Sequence, residues 1–306
     1  MILIANGEGA SGVETAAQLL KGGAPALDAL EAGIRLVEAN PDVHTVGPNS
    51  WPNILGTLQL DAAVMDGTTR RCGAVGALEG FAHPISVARA VTERLPHEIL
   101  VGEGAARFAR EIGAEPSPPR SNLEEETWRA VVRGKGIQPD KLSSDPNMPL
   151  IDVARAATDP ETVRDTTVYL ATDASGNIGS GASTSGWAWK YPGRLGDTPI
   201  IGAGSYADTR YGAAACTHTG EMTIRTSTAR TIVLYLKLGY SLDDAVAAAV
   251  ADLAELKGGQ QGTVVVHAID SNGHHKVACH QPTKPIFYWL WTPDMPAPER
   301  RSAESF

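Results

Sequence analysis

The chain has 306 residues, of which 42% are hydrophobic and 20% charged, a composition that excludes a disordered chain or a fibre. Its 32 glycines and 20 prolines follow no collagen-like period and predict a globular protein with many tight turns. The net charge is −9, and the only basic pairs are Arg70-Arg71 and Arg300-Arg301. Nucleic acid and membrane partners are therefore not expected, and a small, partly cationic or zwitterionic ligand fits better.

Cysteine usage and the N-terminal sequence predict a cytoplasmic protein. Cys72, Cys216 and Cys279 cannot all pair, and their spacing matches neither CxxC nor a zinc ribbon, which indicates a reduced chain. The apolar run at residues 1–5 is too short for a signal peptide and has no basic flank. No apolar run of about 18 residues occurs, so we expect no membrane-spanning segment.

The first half of the chain reads as a strand followed by helices. Residues 1–5 predict a buried strand, and a glycine loop and a helix over 13–20 follow. The helix after Pro25 has an apolar face and a polar face, formed by Leu27, Leu30, Ile34 and Val37 and by Asp28, Glu31, Arg35 and Glu38 respectively. The elements predicted next are a strand over 57–65 and short helices within 85–95 and 103–112.

The second half is dominated by predicted hairpins. Residues 116–160 predict a surface connection, because prolines and charge runs replace periodicity there, and the proline-rich tail 293–306 predicts disorder. Between them the predicted elements are, in order, a hairpin of 166–172 and 178–184, helices over 226–238 and 241–256, a hairpin of 263–270 and 275–281, and an edge strand over 286–291. This order favours an α+β fold with antiparallel sheets.

Residues 7–12 spell G-x-G-x-x-G, the pattern of a dinucleotide-binding loop between a strand and a helix. That fold also needs a second parallel strand that ends in an acidic residue about 20 positions later. Asp28 and Glu31, the acidic residues in that region, lie on a predicted helix instead. An NAD(P)-binding protein is therefore an alternative from a different class, and a plain strand-to-helix turn is the preferred interpretation.

The C-terminal hairpin is rich in possible metal ligands, namely His267, His274, His275, Cys279 and His280. Neighbouring residues of a strand point to opposite faces, so at most part of this set could converge on one ion. We therefore expect solvent-facing histidines and no metal site.

Asp165-Thr166 stands where the mid-chain connection gives way to a predicted strand. A threonine hydroxyl is a weak nucleophile that needs a base within hydrogen-bond reach. Cleavage between the two residues would give Thr166 a free α-amino group, with a pKa of about 7.7–8.0, as its own base. The alternative is a strand entry without a catalytic role.

The hairpin register predicts a second hydroxyl beside the first. If the turn is centred on Ser175, Thr184 lies directly opposite Thr166, with Cβ atoms about 4.5–5.5 Å apart. One bulge would break this register, and threonine pairs also occur in ordinary sheets.

Opposite charges lie three residues apart in the glycine loop at 193–197, at Arg194 and Asp197. A guanidinium binds the α-carboxylate of an amino acid in a fork, and a carboxylate binds its ammonium. The alternative is a local salt bridge that only orders the turn.

A series of motifs along the chain resembles one family. The motifs are Met65-Asp66-Gly67-Thr68-Thr69, Gly73-Ala74-Val75-Gly76, Val101-Gly102-Glu103, Asp165-Thr166, Gly181-Ala182-Ser183-Thr184-Ser185-Gly186, Gly193-Arg194-Leu195-Gly196-Asp197-Thr198-Pro199, the run 202–208 and Ala215-Cys216-Thr217. Together they resemble the N-terminal-nucleophile hydrolases of the asparaginase type 2 family, and most closely its glycosylasparaginase branch. The resemblance covers roughly residues 1–113 and 162–281.

The resemblance implies a four-layer αββα fold, autoproteolysis and a homodimer of processed αβ units, with no metal or cofactor. Residues 1–165 and 166–306 would be the two halves of a single domain. The implied roles are Thr166 as nucleophile after cleavage behind Asp165, Thr184 as its support, Arg194 and Asp197 as ligands of the substrate α-carboxylate and ammonium, and Thr217 with the N–H of His218 as the oxyanion hole.

Four positions depart from the family pattern. Arg164 replaces His, Val168 and His218 replace Gly, and Asn6-Gly7-Glu8 replaces the usual Asn-Thr-Trp. Arg164 and Val168 flank the predicted scissile bond, so an unprocessed binding protein is a third interpretation. The backbone N–H survives at His218, but the imidazole must narrow or recharge the pocket.

The sequence thus predicts a self-processing amidohydrolase that cleaves the β-amide of an asparagine derivative and releases aspartate. The preferred substrate is N4-(β-N-acetylglucosaminyl)-L-asparagine. The alternative, with the same mechanism, is an L-asparaginase or β-aspartyl peptidase.

Overall fold

The computed structural model describes residues 1–119, 122–145, 147–158 and 166–305. Within these ranges the helices are α1 (Ala10–Lys21), α2 (Ala26–Glu38), α3 (Pro84–Arg94), α4 (Gly102–Glu111), α5 (Asn122–Gly134), α6 (Pro139–Ser144), α7 (Leu150–Ala157), α8 (Gly220–Thr226), α9 (Thr228–Lys237) and α10 (Leu242–Ala254). None of these described helices is both long enough and apolar enough to cross a bilayer.

The strands form two sheets, and these confirm the predicted α+β class. The strands are β1 (Ile2–Asn6), β2 (Leu60–Asp66), β3 (Cys72–Leu78), β4 (Ile99–Val101), β5 (Thr167–Thr172), β6 (Ile178–Thr184), β7 (Ser205–Asp208), β8 (Gly212–His218), β9 (Val264–Asp270), β10 (His275–His280), β11 (Phe287–Trp291), β12 (Glu299–Ser302) and β13 (Glu304–Ser305). The larger sheet has the order β12-β11-β1-β5-β6-β2-β3-β4 and the smaller one β13-β10-β9-β8-β7. All neighbours are antiparallel except β3–β4 and β10–β13.

Side chains of the central strands are buried on both faces. Leu3 and Ala5 of β1 belong to a cluster with α1, α2, α3 and α4, whereas Ile2 and Ile4 belong to a cluster that combines residues of both sheets. A third cluster joins the smaller sheet to α8, α9 and α10. Because side chains alternate along a strand, each central strand serves two apolar clusters at once. This packing fixes the strand ends that carry the candidate site.

The predicted surface connection contains three helices, α5, α6 and α7, in its described part. Their buried residues pack with Ile54 and Trp189 in a fourth cluster, and Trp128 donates a hydrogen bond to the Ile54 carbonyl at 3.0 Å. The sequence prediction missed these helices because acidic runs and the prolines between them obscure the apolar period.

Two predictions for the C-terminus differ from the structure. The strand predicted at a sheet edge, β11, pairs on both sides, with β1 and with β12. The tail that was predicted to be disordered supplies β12 to the larger sheet and β13 to the smaller one. Backbone pairing, which depends little on side-chain type, orders this polar segment.

Helix α2 has the predicted apolar face, but Glu38 is fully buried rather than on the polar face. Its carboxylate accepts hydrogen bonds from Ser183 Oγ at 2.7 Å and from the Ile85 N–H at 3.0 Å, and it lies 3.1 Å from His83 Nδ1. Burial raises the pKa of Glu38, and these contacts oppose the increase. Through these hydrogen bonds the buried carboxylate connects α2 to Ser183 of β6, the residue before Thr184.

The glycine pattern at residues 7–12 serves packing rather than dinucleotide binding. Residues Gly7–Gly9 form one 3₁₀ turn, and α1 begins at Ala10. A Cβ at Gly12 would lie 1.9 Å from the Gly33 carbonyl oxygen, so α1 and α2 cross where both lack side chains. Both neighbours of β1 are antiparallel, and Asp28 and Glu31 bind Arg89. The dinucleotide fold therefore does not form here.

Candidate active site

Asn6 clamps the backbone at Thr166. The two residues lie at adjacent strand ends, Asn6 closing β1 and Thr166 preceding β5. The Asn6 amide donates to the Thr166 carbonyl oxygen at 2.5 Å, and the N–H of Val168 donates to Asn6 Oδ1 at 3.1 Å. Sequence reasoning noted Asn6 only as part of a stretch that lacks a tryptophan. Its available signal was an amide residue at the end of a buried strand, where backbone groups need partners.

The predicted hairpin register is confirmed. Thr167 pairs with Ser183, and the register continues without a shift to Thr172 and Ile178. One further step along it sets Thr166 opposite Thr184, and both side chains are buried, at 7% and 2% exposed. Thr184 Oγ1 accepts a hydrogen bond from the Gly186 N–H at 2.8 Å, which fixes the position of the hydroxyl.

The structure describes the residues that follow the predicted scissile bond, beginning with Thr166. Arg164 and Asp165, which precede it, lie outside the described residues. Val168, which replaces the usual glycine, is 1% exposed and packs in the cluster between the sheets, paired with Ala182. A β-branched side chain is well suited to that position on a central strand.

The loop at 193–197 is built around the guanidinium of Arg194. Nε and Nη2 of Arg194 donate to Glu221 Oε1 at 3.0 and 2.7 Å, and the guanidinium stacks over Trp187 at 4.4 Å. A Cβ at Gly186 or Gly196 would lie only 2.7 or 3.1 Å from Nη1. Larger residues would therefore displace the arginine. Its ion-pair partner is Glu221, not Asp197 as the local salt-bridge alternative supposed.

Asp197 is a buried carboxylate beside this guanidinium. It is 5% exposed, and Thr223 Oγ1 donates to Oδ2 at 2.6 Å. Burial raises the pKa of Asp197 to about 6, although the Thr223 hydrogen bond and the Arg194 charge oppose the increase. A Cβ at Gly220 would lie 2.7 Å from Asp197 Oδ1, so the start of α8 can approach this carboxylate only because residue 220 is glycine. A ligand ammonium at this carboxylate would lower the pKa and favour the ionised form.

Thr217 and His218 end strand β8. Thr217 is 2% exposed, and its Oγ1 lies 2.9 Å from Nδ1 of His218. His218 has a φ of +83°, in the left-handed region that favours glycine. The predicted departure at this position therefore has a structural consequence: the backbone keeps the conformation that suits glycine, and the imidazole folds onto the predicted oxyanion residue.

Two buried charged side chains, Asp61 and Lys190, lie near Thr184 and the Arg194 loop. Sequence reasoning missed both. Asp61 pairs with Thr184 across β2 and β6, and it accepts a hydrogen bond from the Ala77 N–H at 2.8 Å. Lys190 is 1% exposed and donates to the Gln59 carbonyl at 3.1 Å; burial lowers its pKa, and the Asp61 charge opposes the decrease. A charge inside an apolar strand was the signal available for Asp61; Lys190 had none.

The C-terminal histidines are mostly not solvent-facing as predicted. His267 and His280 are 1% and 5% exposed, and Cys279 is buried with them. His274 lies on the surface, where Nδ1 is 2.8 Å from Asp270 Oδ2. Within the described ranges no three histidine, cysteine, aspartate or glutamate side chains cluster as metal ligands.

A comparison of the sequence with models of protein families identifies the family of this chain. The family model described as Asparaginase matches residues 10–290, most of the chain. This chain belongs to the asparaginase family.

Individual members of the asparaginase family are similar over most of the chain. An N(4)-(Beta-N-acetylglucosaminyl)-L-asparaginase of Elizabethkingia miricola is 36% identical over 239 residues, which are 78% of this chain and 65% of that protein. The chain thus spans slightly less than two thirds of that relative. An isoaspartyl peptidase/L-asparaginase of Danio rerio is 34% identical over 87% of this chain and 81% of its own length. A plant-type L-asparaginase of Pyrococcus abyssi is 36% identical over 92% and 88%.

Proposed function

We propose that the protein is an amidohydrolase that hydrolyses the β-amide of asparagine derivatives with Thr166 as an N-terminal nucleophile. The observation that carries the proposal is the clamp of Asn6 on Thr166, which holds this residue at the strand end opposite Thr184. The Asn6 amide contacts the backbone on both sides of Thr167 and so fixes the position of Thr166 at the start of β5. The family membership and the names of three relatives support the same reaction class.

The proposed chemistry starts with hydrolysis of the peptide bond between Asp165 and Thr166, in which one water molecule is consumed and an α-carboxylate on Asp165 and an α-amino group on Thr166 are formed. The new α-amino group takes the Thr166 hydroxyl proton as Oγ attacks the substrate carbonyl carbon. Thr217 Oγ1 and the N–H of His218 would stabilise the resulting oxyanion. The carbon–nitrogen bond then breaks, and the leaving amine takes the proton. Water hydrolyses the β-aspartyl ester, which releases aspartate and returns the proton to Thr166 Oγ.

Arg194 and Asp197 would bind the two charged groups of the aspartyl moiety. The guanidinium is held in one orientation by Glu221 and Trp187, so a substrate α-carboxylate would compete with Glu221 for it. The buried carboxylate of Asp197 would receive the α-ammonium. Asp61 supports this placement, since it pairs with Thr184 and its Oδ2 lies 3.5 Å from the Gly196 nitrogen in the same loop.

We further propose the four-layer αββα arrangement of N-terminal-nucleophile hydrolases, in a cytoplasmic homodimer of processed halves. The three apolar clusters, helices on the larger sheet, sheet on sheet and helices on the smaller sheet, support the layer order. In this interpretation residues 1–165 and 166–306 are the two halves of one domain, with Thr166 at the start of the second.

The proposed reaction is tested by aspartate release from three substrates: N4-(β-N-acetylglucosaminyl)-L-asparagine, L-asparagine and a β-aspartyl dipeptide. The sequence-based first choice is the glycosylated substrate. Thr166→Ala removes the nucleophile, and we expect it to abolish release from all three. Thr172→Ala is the matched control, because it removes a buried hydroxyl from the far end of the same strand, where Oγ1 makes no hydrogen bond to a described residue. Normal release by Thr166→Ala would refute the assignment.

A further inference from the structure

The Arg194 loop, residues 193–197, is held on both sides of the arginine by side chains from the start of one strand. The Gly193 N–H donates to Gln59 Oε1 at 2.9 Å. The Gly196 N–H is directed at Asp61 Oδ2, with 3.5 Å between the nitrogen and the oxygen. Gln59 immediately precedes β2, and Asp61 is the second residue of β2. One segment of the larger sheet thus contacts the loop main chain before and after the arginine.

The side-chain amide of Gln59 is held in one orientation by three partners. Oε1 accepts from the Gly193 N–H and from the Asn53 side-chain amide, the latter at 3.1 Å, so both lone pairs of this oxygen are used. Nε2 donates to Glu79 Oε1 at 2.8 Å. Because an ionised carboxylate only accepts, the amide nitrogen must face Glu79 and the amide oxygen must face the loop. The main-chain carbonyl of Gln59 also accepts from Lys190 Nζ at 3.1 Å.

Asp61 is a fully buried carboxylate at an irregular point of the larger sheet. The register of β2 with β3 shifts between Leu60 and Ala62, and the N–H of Ala77 in β3 donates to Asp61 Oδ1 at 2.8 Å. Ala77 has a φ of +49°, which is unfavourable for a residue other than glycine. The shifted register and the positive φ together bring this N–H to Oδ1, while Oδ2 faces the Gly196 end of the loop.

Between the two anchors, Leu195 packs on the backbone of β3. A Cβ at Gly76 of β3 would lie 2.9 Å from Leu195 Cδ2, so this side chain approaches the strand closely only because residue 76 is glycine. The loop is therefore attached to the larger sheet at the residue before Arg194 and at the two residues after it.

The same strand is in register with the predicted nucleophile. Asp61 pairs with Thr184 across β2 and β6, and the β5–β6 register, extended by one residue, sets Thr184 opposite Thr166. Anchors on β2 therefore determine how far the Arg194 guanidinium lies from Thr166. In the proposed reaction this distance must match the separation of the α-carboxylate and the β-carbonyl of one aspartyl group. A misplacement of about 1 Å can lower a rate by about a hundredfold.

We propose that Gln59 and Asp61 are positioning residues that hold Arg194 at the distance from Thr166 that an aspartyl group spans. The inference rests on the proposed amidohydrolase function and assigns no substrate contact to either side chain. Self-cleavage before Thr166 acts on the protein's own peptide bond and needs no carboxylate bound at Arg194. Loss of an anchor should therefore weaken binding of the substrate and of the product L-aspartate, and should leave self-cleavage intact.

Gln59→Met tests the first anchor, because it keeps the length of the side chain and removes the acceptor. We expect KM for L-asparagine and the calorimetric Kd of L-aspartate to rise about fivefold, the effect of one hydrogen bond. Glu79→Gln is the matched control, since it changes the exposed partner of the same amide and leaves the Gly193 contact in place. Its KM should equal that of the wild type. Gln59→Glu combined with Glu79→Gln exchanges the amide and the carboxylate, and it should return KM to within about twofold of the wild type.

Asp61→Asn tests the second anchor. Both oxygens of Asp61 face backbone N–H groups, so an amide of the same size must turn its NH₂ group toward one of them. KM for L-asparagine should rise at least about tenfold, because the lost acceptor is charged. Asp66→Asn is the control. Asp66 ends the same strand, and its carboxylate accepts from the Thr68 N–H and the Thr69 hydroxyl instead of the loop, so KM should not change.

Two readouts distinguish positioning from a general loss of stability. The intact mass should show self-cleavage to the wild-type extent in Gln59→Met and Asp61→Asn, and the Tm of Gln59→Met should stay close to that of the wild type. Because the anchors act through Arg194, Gln59→Met should raise KM much less in an Arg194→Lys background than in the wild-type background.

The outcomes separate this inference from the function on which it rests. If Gln59→Met and Asp61→Asn bind L-aspartate and hydrolyse L-asparagine as the wild type does, the inference is refuted and the amidohydrolase function stands. An equal rise of KM in the Arg194→Lys background, or a loss of self-cleavage together with activity, also refutes it. If Asp61→Asn does not fold, Gln59→Met and its rescue by the exchanged pair decide the question. If the wild type releases aspartate from no substrate, the proposed function itself fails.

Discussion

Replacement of His218 tests the strain that the structure places at the oxyanion residue. A φ of +83° costs an L-residue about 1–2 kcal/mol relative to glycine. Glycine also increases the conformational entropy of the unfolded chain, which lowers the free energy of unfolding by about 0.4–1 kcal/mol and offsets part of this advantage. His218→Gly should therefore be more stable than His218→Ala by about 0.5–1 kcal/mol. Both variants lose the contact with Thr217, so that loss cancels in the comparison.

Thermal unfolding measures this difference directly. A change of 1 kcal/mol moves the Tm of a domain of 150–250 residues by about 2–4 °C, so His218→Gly should melt roughly 1–4 °C above His218→Ala. Asp252, exposed in α10, supplies the control, because in a helix interior the alanine variant should be the more stable one. The reasoning is refuted if the alanine variant has the higher Tm at position 218, as we expect at position 252.

We also expect His218→Gly to raise kcat, since Thr217 Oγ1 no longer has an imidazole beside it.

Three further predictions concern the clamp, the carboxylate and the helix crossing. Asn6→Ala leaves the Thr166 carbonyl and the Val168 N–H without this partner, so it should lower the free energy of unfolding by about 1–3 kcal/mol and slow aspartate release. A free energy of unfolding that denaturant titration finds unchanged would contradict this prediction. The pKa of Asp197 is raised to about 6, so protonation of this carboxylate should weaken binding of the substrate ammonium as the pH falls below 6. KM should then rise by up to about tenfold per pH unit. A KM that does not change between about pH 4.5 and 7 would exclude this role of Asp197. Gly12→Ala should destabilise the fold by about 1–3 kcal/mol in thermal unfolding, because its Cβ meets the Gly33 carbonyl, whereas Gly22→Ala, whose Cβ has no contact under 3.4 Å, is the tolerated control.

Local patterns predicted much of the fold. The two hairpins have the predicted turns, and α10 begins where the helix over 241–256 was predicted, with Ser241 accepting a hydrogen bond from the Asp244 N–H at 3.2 Å. These features depend on residues close in sequence, so the sequence contains the whole signal.

The errors arise where distant contacts decide the structure. Strands β7 and β8 were not predicted, because runs of small residues such as Ala213–Ala215 lack the bulk typical of strands. Their strand conformation comes from pairing with each other and from the pairing of β8 with β9. Burial of Glu38 likewise depends on Ser183 and Ile85, which are remote in the sequence.

The candidate site divides in the same way. Thr184 was located by the register alone, and its placement opposite Thr166 needed no tertiary information. The role of Asn6 became visible only when β1 and β5 were assembled, because its partners Thr166 and Val168 are 160 and 162 residues away along the chain. The partner of Arg194 was missed for a related reason, since Glu221 is 27 residues away along the chain.

The central claim is that Thr166 becomes a chain terminus, and intact-mass measurement of the purified protein tests it most directly. The account predicts two fragments, of 165 and 141 residues, with Thr166 as the first residue of the smaller one. Thr166→Ala should remain a single chain of 306 residues. A wild-type chain that stays whole and still releases aspartate would contradict the account, because Thr166 would then have no α-amino group to act as its base.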